Sequence, residues 1–380
     1  MERLARIAAR WGAPLLAALV ATAAGAAPVS FWTRVLRTDP VMDSHPRISG
    51  HSVVWQHGAG GAAEIFFRDD QHIFPLTQDG FADELPEIDG DTVVWQHDDG
   101  SDYEVMRYDG VSNVFITNNT TADNCPVASG GSIGWRGTGI LSREFFLLPF
   151  TPQQITGDAL DDECPRGADG NFVWTKFDGS ARNVWAWFPA IGVPPDHLFQ
   201  ITTAGTESSP VISGNRIAYV EGTGSAAEIR LFDASDFSDH PLTSDLSEDR
   251  NPQIDGTRVV WEHFDGTDWE IYEYEVGGMV TPLTNNAVAD HDPQVSGDSV
   301  VWVEDEPGHS QIWASWHGAL PPQRVTHDAR DHADPHIDGE LITFQACDST
   351  RCDIWLAPEP SAGALAMAAL AALAAFARRR

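Results

Sequence analysis

The chain has 380 residues, with 56 Asp or Glu against 23 Lys or Arg and a formal charge of −33. A surface so acidic repels phosphate backbones, which excludes nucleic acid as a partner and favours cations or basic surfaces. The 42% hydrophobic content, 33 Gly, 24 Pro and 14 Trp describe a globular body with many turns.

At the N-terminus, Arg3, Arg6 and Arg10 precede the apolar run APLLAALVATAAGAA, which ends in the small residues Ala24-Gly25-Ala26. Charged, then apolar, then small is the order of a secretory signal, so residues 1–27 are expected to direct export.

From residue 28 the sequence repeats. Pro stands at 46, 86, 126, 165, 210, 252, 293 and 335, and nine residues after each comes an aromatic: Trp55, Trp95, Trp135, Trp174, Tyr219, Trp261, Trp302 and Phe344. Nine further on, a polar residue is followed by an apolar one, as in Glu64-Ile65, Glu104-Val105 and Glu270-Ile271. Each copy reads as a short strand into a Ser/Asp-Gly turn, a buried Val-Val-Trp strand, a third strand, and a fourth ending in Leu-Thr or a relative of it. Four short strands per copy without helical periodicity predict a propeller blade. A blade cannot cover both its faces alone, so the repeat recurs because the packing problem recurs, with the aromatic filling the gap between blades.

The last copy stops after three strands. Before the first Pro, VLRTDPVMDSHP aligns without a gap to PLTQDGFADELP, so Phe31–Arg37 is expected to supply the missing fourth strand and close the ring. The prediction is an all-β, eight-bladed propeller over residues 28–357, with seven blades as the alternative. The repeat PQIDGTRVVWEHFDGTDWEIYEYE resembles that of TolB-like propellers, periplasmic and cell-surface proteins. That resemblance implies a fold and a habitat, and mostly a binding role.

The C-terminal segment, residues 358–380, carries Pro358-Glu359-Pro360, a run of 17 uncharged residues and three Arg. It is long enough for a minimal membrane-spanning helix with its basic end in the cytoplasm. The order resembles the PEP-CTERM sorting signal, which implies an exosortase-type processing partner, transient anchoring in the inner membrane, and an exopolysaccharide-rich surface. A plain tail anchor is the alternative.

Candidate chemistry lies within the repeat. Three residues before the repeat Pro stand Asp43, Asp83, Asp123, Asp162, Glu207, Asp249 and Asp290, with Asp331 four before Pro335. Two readings stay open for them. Either each acid bonds its own turn backbone, or together they ring the axis and hold Ca²⁺ or Mg²⁺ through oxygen ligands. His57, His97 and His263 share one position and read as solvated strand ends. The acidic hairpins HDDGSDYE and HFDGTDWE could hold Ca²⁺ weakly, but they lack the full spacing of a calcium loop, and turn-forming Asp-Gly explains them without an ion. GGSIG at 130–134 matches a nucleophile pattern, but Ser132 precedes a strand where a helix is required.

Four cysteines in an exported chain point to disulfides. Cys347 and Cys352 face each other across one hairpin; Cys125 and Cys164 start equivalent strands of adjacent blades. The expected function is a non-catalytic binding or matrix module, associated with exopolysaccharide or a surface protein. The alternatives are an enzyme on a propeller scaffold, such as a polysaccharide lyase, and a purely structural surface protein. A cluster of His, Arg and carboxylates at the pore mouth would favour the enzyme.

Overall fold

The computed structural model describes residues 33–139, 142–148, 152–189, 197–203, 205–316 and 321–358. Residues 1–27, Phe31, Glu359, Pro360 and the rest of the tail lie outside them. Among the described residues no helix is long and apolar enough to cross a membrane.

Eight antiparallel four-stranded blades form a ring, with strands in chain order from the axis outwards in the first seven, while the eighth takes its outermost strand from the N-terminal end. The closing strand is present, though shorter than expected. Arg34–Val35 pairs with Cys352–Pro358, and the Leu36 amide donates to the Ile354 carbonyl at 2.9 Å. In blade 4 the innermost strand is broken into Asp161–Asp162 and Arg166–Ala168, and Cys164 falls in the gap. There it bonds Cys125 of blade 3, while Cys347 bonds Cys352 within blade 8. Both expected disulfides are therefore formed.

All eight repeat aromatics are fully buried. They belong to eight separate apolar clusters, each drawn from two neighbouring blades; Trp95, for example, packs with Val54, Ile65 and Phe67 of blade 1. The core of the molecule is thus a ring of inter-blade seams. The Leu-Thr ending also has a local cause. The Thr77 hydroxyl accepts the Ile65 amide at 2.9 Å, as Thr284 does for Ile271, capping the third strand where the short fourth strand runs out.

The Ser/Asp-Gly turns form a second ring, at one end of the central channel. The side chain before each turn glycine accepts the backbone N–H of the next blade's glycine: Gly90 to Ser49 at 3.0 Å, Gly130 to Asp89 at 2.7 Å, and so on to Gly50 on Asp338. Acceptors alternate strictly around the ring, Ser49, Asp89, Ser129, Asp169, Ser213, Asp255, Ser296, Asp338. Alternation keeps every carboxylate a full blade from the next, which limits repulsion along the ring.

Candidate functional site: the channel mouth

Each innermost strand carries a break in register at the repeat proline, which has no N–H for the ladder. In seven blades the residue just before the proline is forced to positive φ, between 49° and 53°: His45, Leu85, Cys125, Ser209, Asn251, Asp292 and Asp334. Non-glycine residues rarely adopt this conformation, and its cost tends to be tolerated where a site is being shaped. The bulge turns the residue after each proline toward the axis.

Those eight residues line a cavity of about 800 Å³ at the end of the channel opposite the Ser/Asp ring. They divide by character. Blades 6, 7, 8, 1 and 2 contribute Gln253, Gln294, His336, Arg47 and Glu87 as one polar arc; Val127, Arg166 and Val211 complete the circle. Arg47 ties three blades together. Its guanidinium lies 3.1 Å from Glu87 Oε1, 3.6 Å from Asp334 Oδ1, and donates to His336 Nε2 at 2.8 Å. Burial, and then the Arg47 charge, hold the His336 imidazole below its ordinary value, so it is neutral near pH 7. Burial alone would raise Asp334, but the adjoining His336 ring and the Arg47 charge hold its carboxyl below the ordinary value.

Across the cavity stand Arg136, Arg143 and Arg166, with Glu163. Arg143 pairs with Asp161 at 2.8 Å and Arg136 donates to Asn124 at 2.9 Å, whereas exposed Arg166 makes no ion pair among the described residues. Four arginines therefore surround one opening in a protein of charge −33. The arrangement can bind carboxylates bidentately, and it offers a neutral imidazole beside a fixed positive charge.

The repeat acids are placed elsewhere. Asp43, Asp83, Asp123, Asp162, Glu207, Asp249 and Asp290 are all at most 3% exposed, and none lines the channel. Five of them accept the indole N–H of the tryptophan twelve residues on, from Asp83–Trp95 at 2.6 Å to Asp123–Trp135 at 3.0 Å. Asp331 is exposed, and His332 occupies the acid's slot against Phe344, an aromatic with no N–H to donate. His97 and His263 are buried rather than solvated; each Nδ1 meets the repeat Asp at 2.8 Å, as His57 meets Asp43 at 2.6 Å. The acid outcompetes water for these rings because both partners leave solvent together, and the bond raises the His97 and His263 values. Ser132 opens a strand, as its position in the repeat required.

No family model matches the chain, and no curated protein matches it in sequence. Solved structures do match in fold. A Mycobacterium tuberculosis puromycin-hydrolyzing peptidase aligns at TM-score 0.55 and 13% identity, over 84% of this chain and 60% of the peptidase. The β-propeller domain of the Pyrococcus furiosus Trilobed protease, described as having an open velcro topology, aligns at 0.51 and 11%, over 76% of this chain and 96% of that one. An oligogalacturonate lyase in complex with manganese aligns at 0.52 and 10%, over 71% and 86%. This is a propeller fold of the kind found in peptidases and a lyase. Against that company the expected non-catalytic module is corrected: the similar propellers belong to enzymes, and the repeat gives no ground for excluding catalysis. The chain spans 60% of the peptidase's length, less than two thirds, but 86% of the lyase's.

Proposed function

We propose that the protein is a propeller-scaffold enzyme that cleaves an acidic polysaccharide by β-elimination at the channel mouth. The observation that carries this reading is the Arg47–His336–Asp334–Glu87 cluster in a cavity shared with Arg136, Arg143 and Arg166. Elimination from a uronate needs the carboxylate neutralised, so that the adjacent C–H becomes acidic enough for a modest base. Arg47 is placed to neutralise the carboxylate, and in turning to it the guanidinium frees the Nε2 lone pair of His336, kept neutral by burial, to take the proton. Arg166, exposed and without an ion pair among the described residues, suits a neighbouring uronate. A fold similarity covering 86% of an oligogalacturonate lyase supports this over a peptidase, which aligns over 60% of its length.

The same proposal extends to identity and place. The repeat motif and the order of features at both ends support a TolB-like, exported protein with a PEP-CTERM tail, acting at an envelope where exopolysaccharide is the substrate. The enzyme test is incubation with polygalacturonate, alginate and a neutral glucan, following the ultraviolet absorbance of the unsaturated product. A rise with an anionic polymer that is lost in Arg47→Ala and His336→Ala supports the reading; no product with any polyuronate overturns it.

A further inference from the structure

The junctions between blades are built to one plan, and two of them lack a part. At each, the polar residue opening one blade's third strand meets the loop and repeat acid that begin the next. Five junctions include a basic side chain. His57, His97 and His263 bond their repeat Asp, Lys176 reaches Asp158 at 2.7 Å, and His332 reaches Asp328 at 3.4 Å. The junction into blade 5 is relieved differently, with Asn183 and Thr203 in place of acids.

Entering blades 3 and 7, the basic position holds Gly137 and Glu304 instead. Asp123 there meets only uncharged partners, Asn119, Trp135 and Thr117, and Asp290 likewise Asn286, Trp302 and Thr284. Arg324 approaches Glu304 but pairs with Glu306 at 3.0 Å. Yet these same two junctions receive additional acids from the preceding hairpin. Asp99, Asp102 and Glu104 bring carboxylate oxygens within 4.8 Å of one another, and so do Asp265, Asp268 and Glu270.

A second observation points to a ligand. Glu104 is 0% exposed and Glu270 1%, and the Oε2 of each is buried without a hydrogen-bond partner among the described residues. So are Asp102 Oδ1 and Asp268 Oδ1. Glu64, Glu144 and Glu228 also leave one oxygen orphaned, but no second orphan from a hairpin Asp joins it. A buried carboxylate oxygen without a donor costs about 1–3 kcal/mol or more, so two together in each triad ask for a cation.

We propose that each triad binds a Ca²⁺ ion, one held by Asp99, Asp102 and Glu104 between blades 2 and 3, the other by Asp265, Asp268 and Glu270 between blades 6 and 7. All-oxygen donors on a hairpin with water on one side suit Ca²⁺, which accepts irregular geometry, over Mg²⁺. Glu104 Oε1 already accepts the Asn119 amide of the next blade's entry loop at 2.6 Å, and Glu270 Oε1 that of Asn286 at 2.7 Å. Each ion thereby braces the glutamate that links its blade to the next, at opposite points of an eight-membered ring. It supplies the charge that His or Lys supplies at the other junctions.

The test uses the full chain stripped with EDTA. Equilibrium dialysis should find two Ca²⁺ per chain, half-saturating at about 0.1–1 mM, the range of extracellular modules. Terbium luminescence sensitised by Tyr103 and Trp269, each flanked by two of the ligands, should be displaced by Ca²⁺. Asp102→Asn should leave one ion and the Asp102→Asn/Asp268→Asn variant none, while Asp79→Asn/Asp245→Asn keeps two. In EDTA the ligand variant should melt no lower than the parent, because repulsion has been relieved. Two ions retained in the ligand variant, or no Ca²⁺ bound by the parent, overturns the proposal. Should that variant not fold, the parent's terbium signal decides, and its absence is equally fatal.

Discussion

Lys176 Nζ lies 2.7 Å from Asp158 Oδ2 and 3.5 Å from Asp162 Oδ1, in the position where blades 2 and 6 place a histidine. It is the single lysine of the chain, 2% exposed at its side chain, with its ammonium 4.9 Å from the Trp185 ring. Removing the charge strands a fully buried Asp162. Lys176→Met is expected to cost about 2–4 kcal/mol, below the upper range for buried pairs because Asp158 is half exposed. Lys176→His, which copies the other blades, should cost clearly less. Urea denaturation of both variants checks the order; equal losses would show that stem packing rather than charge matters at this position.

The two disulfides should contribute unequally. Cys125–Cys164 closes 39 residues and Cys347–Cys352 only five. In the chain-entropy model, replacing the first pair by Ala destabilises by about 4 kcal/mol and the second by about 2 kcal/mol. Denaturant midpoints of the two double variants test this. A larger loss from Cys347 and Cys352 would mean that native packing, not unfolded-chain entropy, sets their worth.

Much of the fold was legible because packing writes itself into spacing. Pro to aromatic at nine residues gave the blade, eight copies gave the count, and an orphan VLRTDP segment gave the closure. The acids were less legible. The seats of five of them beside Trp Nε1 follow from a spacing of twelve visible in the sequence, and the decisive signal lay in blade 8. There the acid slot and the indole change together, to His332 and Phe344, which marks the two positions as partners. The Arg47–His336 contact carried no local signal, since 289 residues separate the pair and only ring closure brings them together. The channel mouth could be anticipated as a place, not as a set of residues.

Closure itself is testable at one side chain. Leu36 is 7% exposed and packs with Val53, Trp55, Ile354 and Leu356 across the seam between the last and first blades. Leu36→Ala removes that contact and should cost about 2–3 kcal/mol, toward the lower end for core leucines because the strand is an edge. Exposed Arg34→Ala should change stability by about 0.5 kcal/mol or less. Deleting residues 33–38 should lower the melting temperature sharply and promote association through the unpaired edge of Cys352–Pro358. Light scattering and thermal melts read both effects; a deletion as mild as Arg34→Ala would show that the ring holds without its closing strand.

The junction into blade 7 makes stability fall with pH. Burial first, then the neighbouring Glu304, pushes Asp290 up to about 8; burial and Glu306 push Glu304 up to about 7. Both values are raised above those of an unfolded chain, near 4, so the folded state holds protons that the unfolded state has released. The stability this confers is complete below about pH 4 and is lost as pH rises through 7 and 8. His97 and His263, raised by their aspartates, act in the same sense. Buried His332 and His336, held low, act oppositely, but only below about pH 6.5. In EDTA the melting temperature should therefore decline between about pH 6.5 and 8. Glu304→Gln should flatten that decline by removing the repulsion on Asp290, and Ca²⁺ at the Asp265–Asp268–Glu270 triad should flatten it too. A parent profile that stays flat or rises across the same interval would mean these carboxylates are already ionised in the fold, with a cation or water balancing them.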